Sequence, residues 1–163
     1  DIPINKARDL AIGIGLGLSA NSFNQNLLIR KNNANNFTYD ILEDSNTYFK
    51  NKFSNYLIEV PIEFRWRTST PTDYDFWRIY TGFKVGYVLK QTSKYEGDLG
   101  SLGYRNNNDF NSFQYGLTLS AGYNTWNIYL HYPLNTIFSK DAQLNGDQID
   151  MNVIKIGLMF YIL

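Results

Sequence analysis

Phe76-Trp77-Arg78-Ile79-Tyr80-Thr81-Gly82-Phe83-Lys84-Val85-Gly86-Tyr87-Val88-Leu89-Lys90 changes character at every step. One row of this stretch is Trp77, Ile79, Thr81, Phe83, Val85, Tyr87 and Leu89, and the other is Arg78, Tyr80, Gly82, Lys84, Gly86 and Val88. Strict alternation is the pattern of a β-strand with two unlike faces. Here one face is greasy and the other is polar or bare. The preceding stretch, Tyr56 to Arg67, repeats the division: Ile58, Val60, Ile62, Phe64 and Trp66 oppose Glu59, Glu63, Arg65 and Arg67 around Pro61. Charge never falls on the greasy row of either strand.

The same reading extends to both ends of the chain. From Leu10 to Ala20, Ile12, Ile14, Leu16 and Leu18 face away from Gly13, Gly15, Gly17 and Ser19. Downstream, Phe113–Tyr123, Trp126–Asn135 and Val153–Ile162 alternate likewise. Six strands of about 9 to 14 residues are long against the usual five or six, and they match the roughly 9 to 11 that a tilted strand needs to cross a membrane. Asp1 to Asn5 reads as the truncated end of a further strand. Asn26 to Ile29 and Phe37 to Leu42 either extend the second strand or form an eighth.

Connections alternate short and long. Lys6–Asp9, Thr68–Asp75 and Asn124–Thr125 are short, whereas the stretches at about 21–55, 91–111 and 139–150 are long. Outer-membrane barrels have this asymmetry, with short periplasmic turns and longer outside loops. Trp66, Trp77 and Trp126 lie beside short turns, with Tyr123, Phe160 and Tyr161 near the same end. Together they are expected to form an interfacial aromatic girdle, since indole and phenol rings favour a boundary that is dry on one side and wet on the other.

Composition narrows the function. Fifteen Lys plus Arg balance fifteen Asp plus Glu, so no net field draws the chain to a nucleic acid. Cysteine is absent and histidine occurs once, which removes thiolate chemistry and multi-histidine metal centres. With 27 aromatic residues and 20 Asn against 4 Pro, the chain has a turn-rich β composition. No apolar run approaches the roughly 20 residues of a spanning helix.

The run Asn55-Tyr56-Leu57-Ile58-Glu59-Val60-Pro61-Ile62-Glu63-Phe64-Arg65-Trp66-Arg67, followed by Tyr80-Thr81-Gly82-Phe83-Lys84-Val85-Gly86-Tyr87, resembles the central strands of the PorT-like outer-membrane β-barrel proteins of Bacteroidota. Phe113-Gln114-Tyr115-Gly116-Leu117, the Gly122-Tyr123 pair and Ile156-Gly157-Leu158-Met159-Phe160-Tyr161 resemble that family as well. The resemblance covers about Tyr56 to Leu163. It implies an eight-stranded barrel and carries little about activity.

If the greasy rows face lipid, the interior receives Glu59, Glu63, Arg65, Arg67, Arg78, Lys84, His131 and Lys155. Charges in so narrow a space must pair or keep water. The first reading is therefore a structural ion-pair plug, and the second is a contact for a small anion or headgroup at the outward end. His131 has Ser120 on the preceding strand, yet no nucleophile elbow, metal cluster or phosphate loop supports catalysis. Asp40, Glu43, Asp44, Glu96, Asp98 and Asp109 match no calcium loop and read as solvated acids. The runs Asn32 to Asn36 and Asn106 to Asn108 are turn formers rich in donors and acceptors, either plain exposed loop or a partner or glycan surface.

The sequence thus predicts an all-β, antiparallel, eight-stranded transmembrane β-barrel, a single domain over 1–163 with its first strand truncated. It is expected to be integral to the outer membrane, with short turns and carboxyl terminus periplasmic. Its expected partners are membrane lipids and an envelope protein met through long loops or barrel wall. The expected role is structural or interactive, as an accessory subunit of an envelope or secretion complex, without enzymatic activity, metal or cofactor. Two alternatives remain: a soluble lipocalin-like barrel with a hydrophobic ligand, and a membrane-embedded hydrolase or acyl transferase.

Overall fold

A computed structural model describes residues 1–43, 45–68 and 76–160. Asp44, residues 69–75 and residues 161–163 lie outside the described residues, and with them most of the expected short connection Thr68–Asp75 and the expected girdle residue Tyr161. In chain order the strands are β1 (Ile2–Pro3), β2 (Leu10–Ile14), β3 (Gly17–Asn24), β4 (Leu27–Lys31), β5 (Phe37–Ile41), β6 (Tyr48–Arg67) and β7 (Trp77–Gly97). They continue with β8 (Gly100–Arg105), β9 (Phe113–Tyr123), β10 (Trp126–Pro133), β11 (Gln143–Leu144), β12 (Asp147–Gln148) and β13 (Lys155–Met159).

The main sheet runs β1-β2-β6-β7-β9-β10-β13, with β3 pairing β6 beyond β2 and β8 pairing β7. Every pairing in it is antiparallel. Its centre is the β6–β7 ladder, which sets Glu59 opposite Gly86 and Glu63 opposite Gly82. The alternating rows separate as two faces. Polar residues such as Glu63, Arg78, Thr118, Ser120, Asn127 and His131 are buried, while Leu16, Leu18, Ile128, Ile156 and Leu158 are exposed.

The expected closed barrel is not what this chain forms. Among the described residues, β13 pairs only with β10 on one side, and no backbone ladder joins it to β1, β2 or β3. The sheet is open, with two free edges. Unpaired backbone N–H and C=O groups along such edges have no partner in hydrocarbon, where each costs several kcal/mol. The open sheet therefore overturns the eight-stranded transmembrane barrel, its integral outer-membrane placement with periplasmic turns, its barrel wall and its lipid and envelope-protein partners. The lipocalin-like alternative requires closure too and fails on the same finding, and the membrane-embedded hydrolase loses its setting.

The stretches expected as long connections hold the hydrophobic core, and the candidate segments Asn26–Ile29 and Phe37–Leu42 form strands that pair with each other rather than extend the second strand. Strands β4 and β5 form a separate hairpin, β11 and β12 another, and β6 and β7 extend well beyond the alternating segments. Leu27, Ile29, Tyr39, Phe53, Phe110, Ile137, Phe138 and Ala142 pack together at this end. Phe138 is 0% exposed, its ring 4.4 Å from Phe110 and 5.6 Å from Tyr39 by centroid. The β11–β12 hairpin turns on Asn145 and Gly146, both at positive φ (54° and 93°), the conformation of a tight two-residue turn.

This distribution sets a sharp contrast between two apolar positions. Phe138→Ala is expected to cost about 3 to 5 kcal/mol, the scale of a buried aromatic truncation. Ile128→Ser, at a position 63% exposed, should stay within about 0.5 kcal/mol. Urea unfolding midpoints of the two variants against the parent check the ordering.

Candidate functional site

The polar face gathers the charged residues into two groups. Residues i and i+2 of a strand share a face, so Glu63 and Arg65 of β6 stand side by side. Arg65 donates from Nε and Nη2 to Glu63 Oε2 at 2.9 and 2.7 Å. Its Nη1 donates to the Asp1 carboxylate, which also accepts from Arg67 Nη1 at 3.4 Å. The guanidinium of Arg65 lies 5.0 Å from the Tyr80 ring centre and across Gly13, where a Cβ would come within 2.5 Å of Nε. Gly13 thus makes room for a long cation from the neighbouring strand. Arg78, the third arginine here, is buried with its guanidinium 4.5 Å from the Phe76 ring.

The second group lies toward the hydrophobic core. Lys84 of β7 donates to Glu59 Oε2 of β6 at 3.1 Å, and its ammonium lies 5.5 Å from the Tyr129 ring. Burial pulls the Lys84 pKa down, but the Glu59 carboxylate and Tyr129 outweigh it, so the net shift is upward. Lys155 of β13 donates to Asn21 Oδ1 of β3 at 2.9 Å. Its partner is an amide, and among the described residues Lys155 forms no ion pair. Burial and then the Lys84 charge hold its pKa below the ordinary lysine value. Asn21 in turn donates to Asn55 at 2.9 Å.

His131 sits on β10 opposite Lys155 and is 8% exposed. Burial, followed by the charges of Lys84 and Lys155, pushes its pKa down to about 4, with Glu59 opposing. The ring is therefore neutral near pH 7. Its Nε2 faces Gly116 of β9, at 2.8 Å from where a Cβ would stand, and its Nδ1 is buried without a hydrogen-bond partner. Nearby, Gln114 Nε2 is also buried and unpartnered. His131, Gln114, Lys155, Phe23 and Val153 line one pocket of about 20 Å³.

The expected interior residues thus share one face but act in two clusters rather than one network. The aromatic residues of the expected girdle stand on the opposite, exposed side near the short turns: Trp77 against Tyr123 at 5.3 Å and Trp126 against Phe160 at 5.2 Å, with Trp66 half-exposed on β6. Tyr161 falls outside the described residues. Sequence reasoning passed over Asn21, Gln114 and Tyr129. Gln114 and Tyr129 lie on the polar rows, so their parity was a usable signal.

An antiparallel sheet with a charged buried face and a greasy exposed one defines a β-sheet protein of inverted polarity. The family model described as "Outer membrane protein beta-barrel domain" matches residues 3–139. The chain belongs to that family. The match stops before β11, β12 and β13. No curated protein and no solved structure matches the chain.

Two measurements probe the second cluster. Because His131 takes up its proton at about 4 when folded and near 6.5 when unfolded, stability it supports is complete above pH 6.5 and is lost as pH falls toward 4. The loss between pH 7 and 4 should be about 3 kcal/mol greater in the parent than in His131→Gln, read from unfolding curves across that range. Glu59→Gln leaves the Lys84 ammonium buried without its carboxylate. It should destabilise by about 3 to 5 kcal/mol and lower the His131 pKa further, which an imidazole NMR titration follows.

Proposed function

We propose that this protein is a non-catalytic binding module whose polar face takes up a small anion between Lys155, His131 and Gln114. One observation carries the reading: three nitrogen groups on three strands line one pocket, and among the described residues two of them, His131 Nδ1 and Gln114 Nε2, have no hydrogen-bond partner. A buried donor without an acceptor costs about 1 to 3 kcal/mol, and a single anion satisfies Gln114, the uncompensated Lys155 charge and His131 in the tautomer that carries its proton on Nδ1. The pocket, at about 20 Å³, has no room for a polyatomic anion such as sulfate, which leaves a single atom such as chloride or one carboxylate oxygen.

The non-catalytic part is supported by the surroundings of His131. Among the described residues no carboxylate orients its Nδ1, and Ser120 Oγ is likewise buried without a partner, so the pair does not form a nucleophile and base. Within its family the chain is proposed to fall on the PorT-like branch of Bacteroidota. Support comes from Tyr56, Glu59 and Pro61 on one strand and from Gly82 and Gly86 on the next.

The test is an NMR titration of the His131 imidazole with sodium chloride, compared with sodium sulfate at equal ionic strength. Saturable shifts with chloride, absent with the larger sulfate and lost in Lys155→Met, are expected. Lys155→Met should also raise the His131 pKa, since a positive neighbour is gone. Equal responses to both salts, or an undiminished chloride response in the variant, would overturn the reading.

A further inference from the structure

Two asparagine runs lie about seventy positions apart in the chain, and the fold brings them to one groove. The β4–β5 turn supplies Asn35 and Asn36, the segment after β8 supplies Asn106 and Asn108, and Arg105, Asp109 and Asp141 complete much of the wall. The groove measures about 440 Å³, within the roughly 300 to 1,000 Å³ of small-molecule sites. It lies at the aromatic-core end, with no lining residue in common with the anion pocket on the polar face.

Both walls are fixed from beneath. Asn32 Oδ1 accepts from the backbone N–H of Ala34 and of Asn36, each at 3.0 Å, which orders the turn. Lys31 donates to Asn35 Oδ1 at 3.0 Å. On the other wall Asn107 is 3% exposed and acts as a brace: its Nδ2 donates to Tyr39 Oη, Tyr39 Oη donates to Asp109 Oδ2, and the Asp109 backbone N–H donates to Asn107 Oδ1, all within 2.8 to 2.9 Å. With Asn107 turned inward, its neighbours Asn106 and Asn108 are exposed. Among the described residues the side-chain amides of Asn36, Asn106 and Asn108 make no hydrogen bond, so a preformed groove presents unspent amides. Preformed walls lower the ordering cost of binding.

The chemistry of the wall selects the ligand. Each amide both donates and accepts, which is what a hydroxyl requires of its partner. The charged lining cancels, Lys31 and Arg105 against Asp109 and Asp141, so an ionic ligand gains little there. Phe37, half-buried and edge-on to Tyr104 at 5.7 Å, carries the Lys31 ammonium 4.7 Å from its ring centre and offers its remaining aromatic surface to ring C–H groups. We infer that this groove binds a neutral saccharide.

The experiment titrates the isotope-labelled full chain with maltose, lactose and N,N′-diacetylchitobiose and follows the side-chain amide signals of Asn36, Asn106 and Asn108. Saturable shifts at these amides with at least one sugar are expected. Asn36→Ala and Asn108→Ala, both exposed, should each weaken that binding about tenfold, the scale of one lost hydrogen bond. No saturable shift with any of the three sugars overturns the inference, and so does binding undiminished in the double variant. A response to sodium glucuronate without one to the neutral sugars also overturns it, since that marks an ionic site. Should a variant misfold, the titration of the parent chain decides alone.

Discussion

One row of side chains on β6 sets the terms for the whole molecule. Asn51, Phe53, Asn55, Leu57, Glu59 and Glu63 all point to the same side of a single strand. The surroundings of that row change along its length, from stacked rings at Phe53 to the carboxylates paired with Lys84 and Arg65. The two halves differ in what they contribute. Burial of aromatic surface is a net source of folding free energy, whereas paired buried charges roughly break even against their desolvation. The aromatic end therefore anchors the sheet, and the charged half is held in position by it.

The alternation in the sequence reveals the strands and their faces over Leu10–Ile14, Tyr56–Arg67, Trp77–Val88, Phe113–Tyr123 and Trp126–Pro133. It fails where β7 carries one extra residue. Tyr56 pairs with Lys90 and Leu57 with Val88, so Leu89 and Lys90 both point outward and the inward parity moves from Val88 to Gln91, Ser93 and Tyr95. A β-bulge of this kind erases a period-two signal, and the polar composition beyond it looks like loop. Of the core segments, Asn26–Ile29 and Phe37–Leu42 are legible as strand candidates, whereas Phe53, Phe110 and Ile137-Phe138 stand in polar surroundings too mixed for a window to register. The Asn145-Gly146 pair, by contrast, is a strong hairpin signal, but its flanking strands are only two residues long and carry no alternation to accompany it.

Openness is a different kind of property. Whether β13 meets β3 depends on two segments separated by most of the chain, and local patterning is the same in an open sheet and a closed one. In this fold the two strands meet through Lys155 and Asn21 side chains and not through backbone. The site shares that difficulty. Parity places Glu59, Lys84, His131 and Lys155 on one face, but the division of labour among them, with Glu59 taken by Lys84 and Lys155 left to an amide, follows from cross-strand register. Residues on the second side of such contacts, Asn21 above all, carry no mark in the sequence.

The composition of the aromatic core also orders events in time. Its members span Leu27 to Ala142, so a growing chain that has emerged only as far as Asn111 has Phe53 and Phe110 but lacks Phe138, the ring packed against both. No portion ending there can reach the final packing, and the long β6–β7 ladder must wait for Ile137, Phe138 and Ala142, which follow it in the chain. Contacts so distant in sequence slow folding, and a chain waiting with unpaired strands and exposed rings is vulnerable to association. Folding of this protein is accordingly a collective event whose progress depends on the segment that carries Ile137, Phe138 and Ala142.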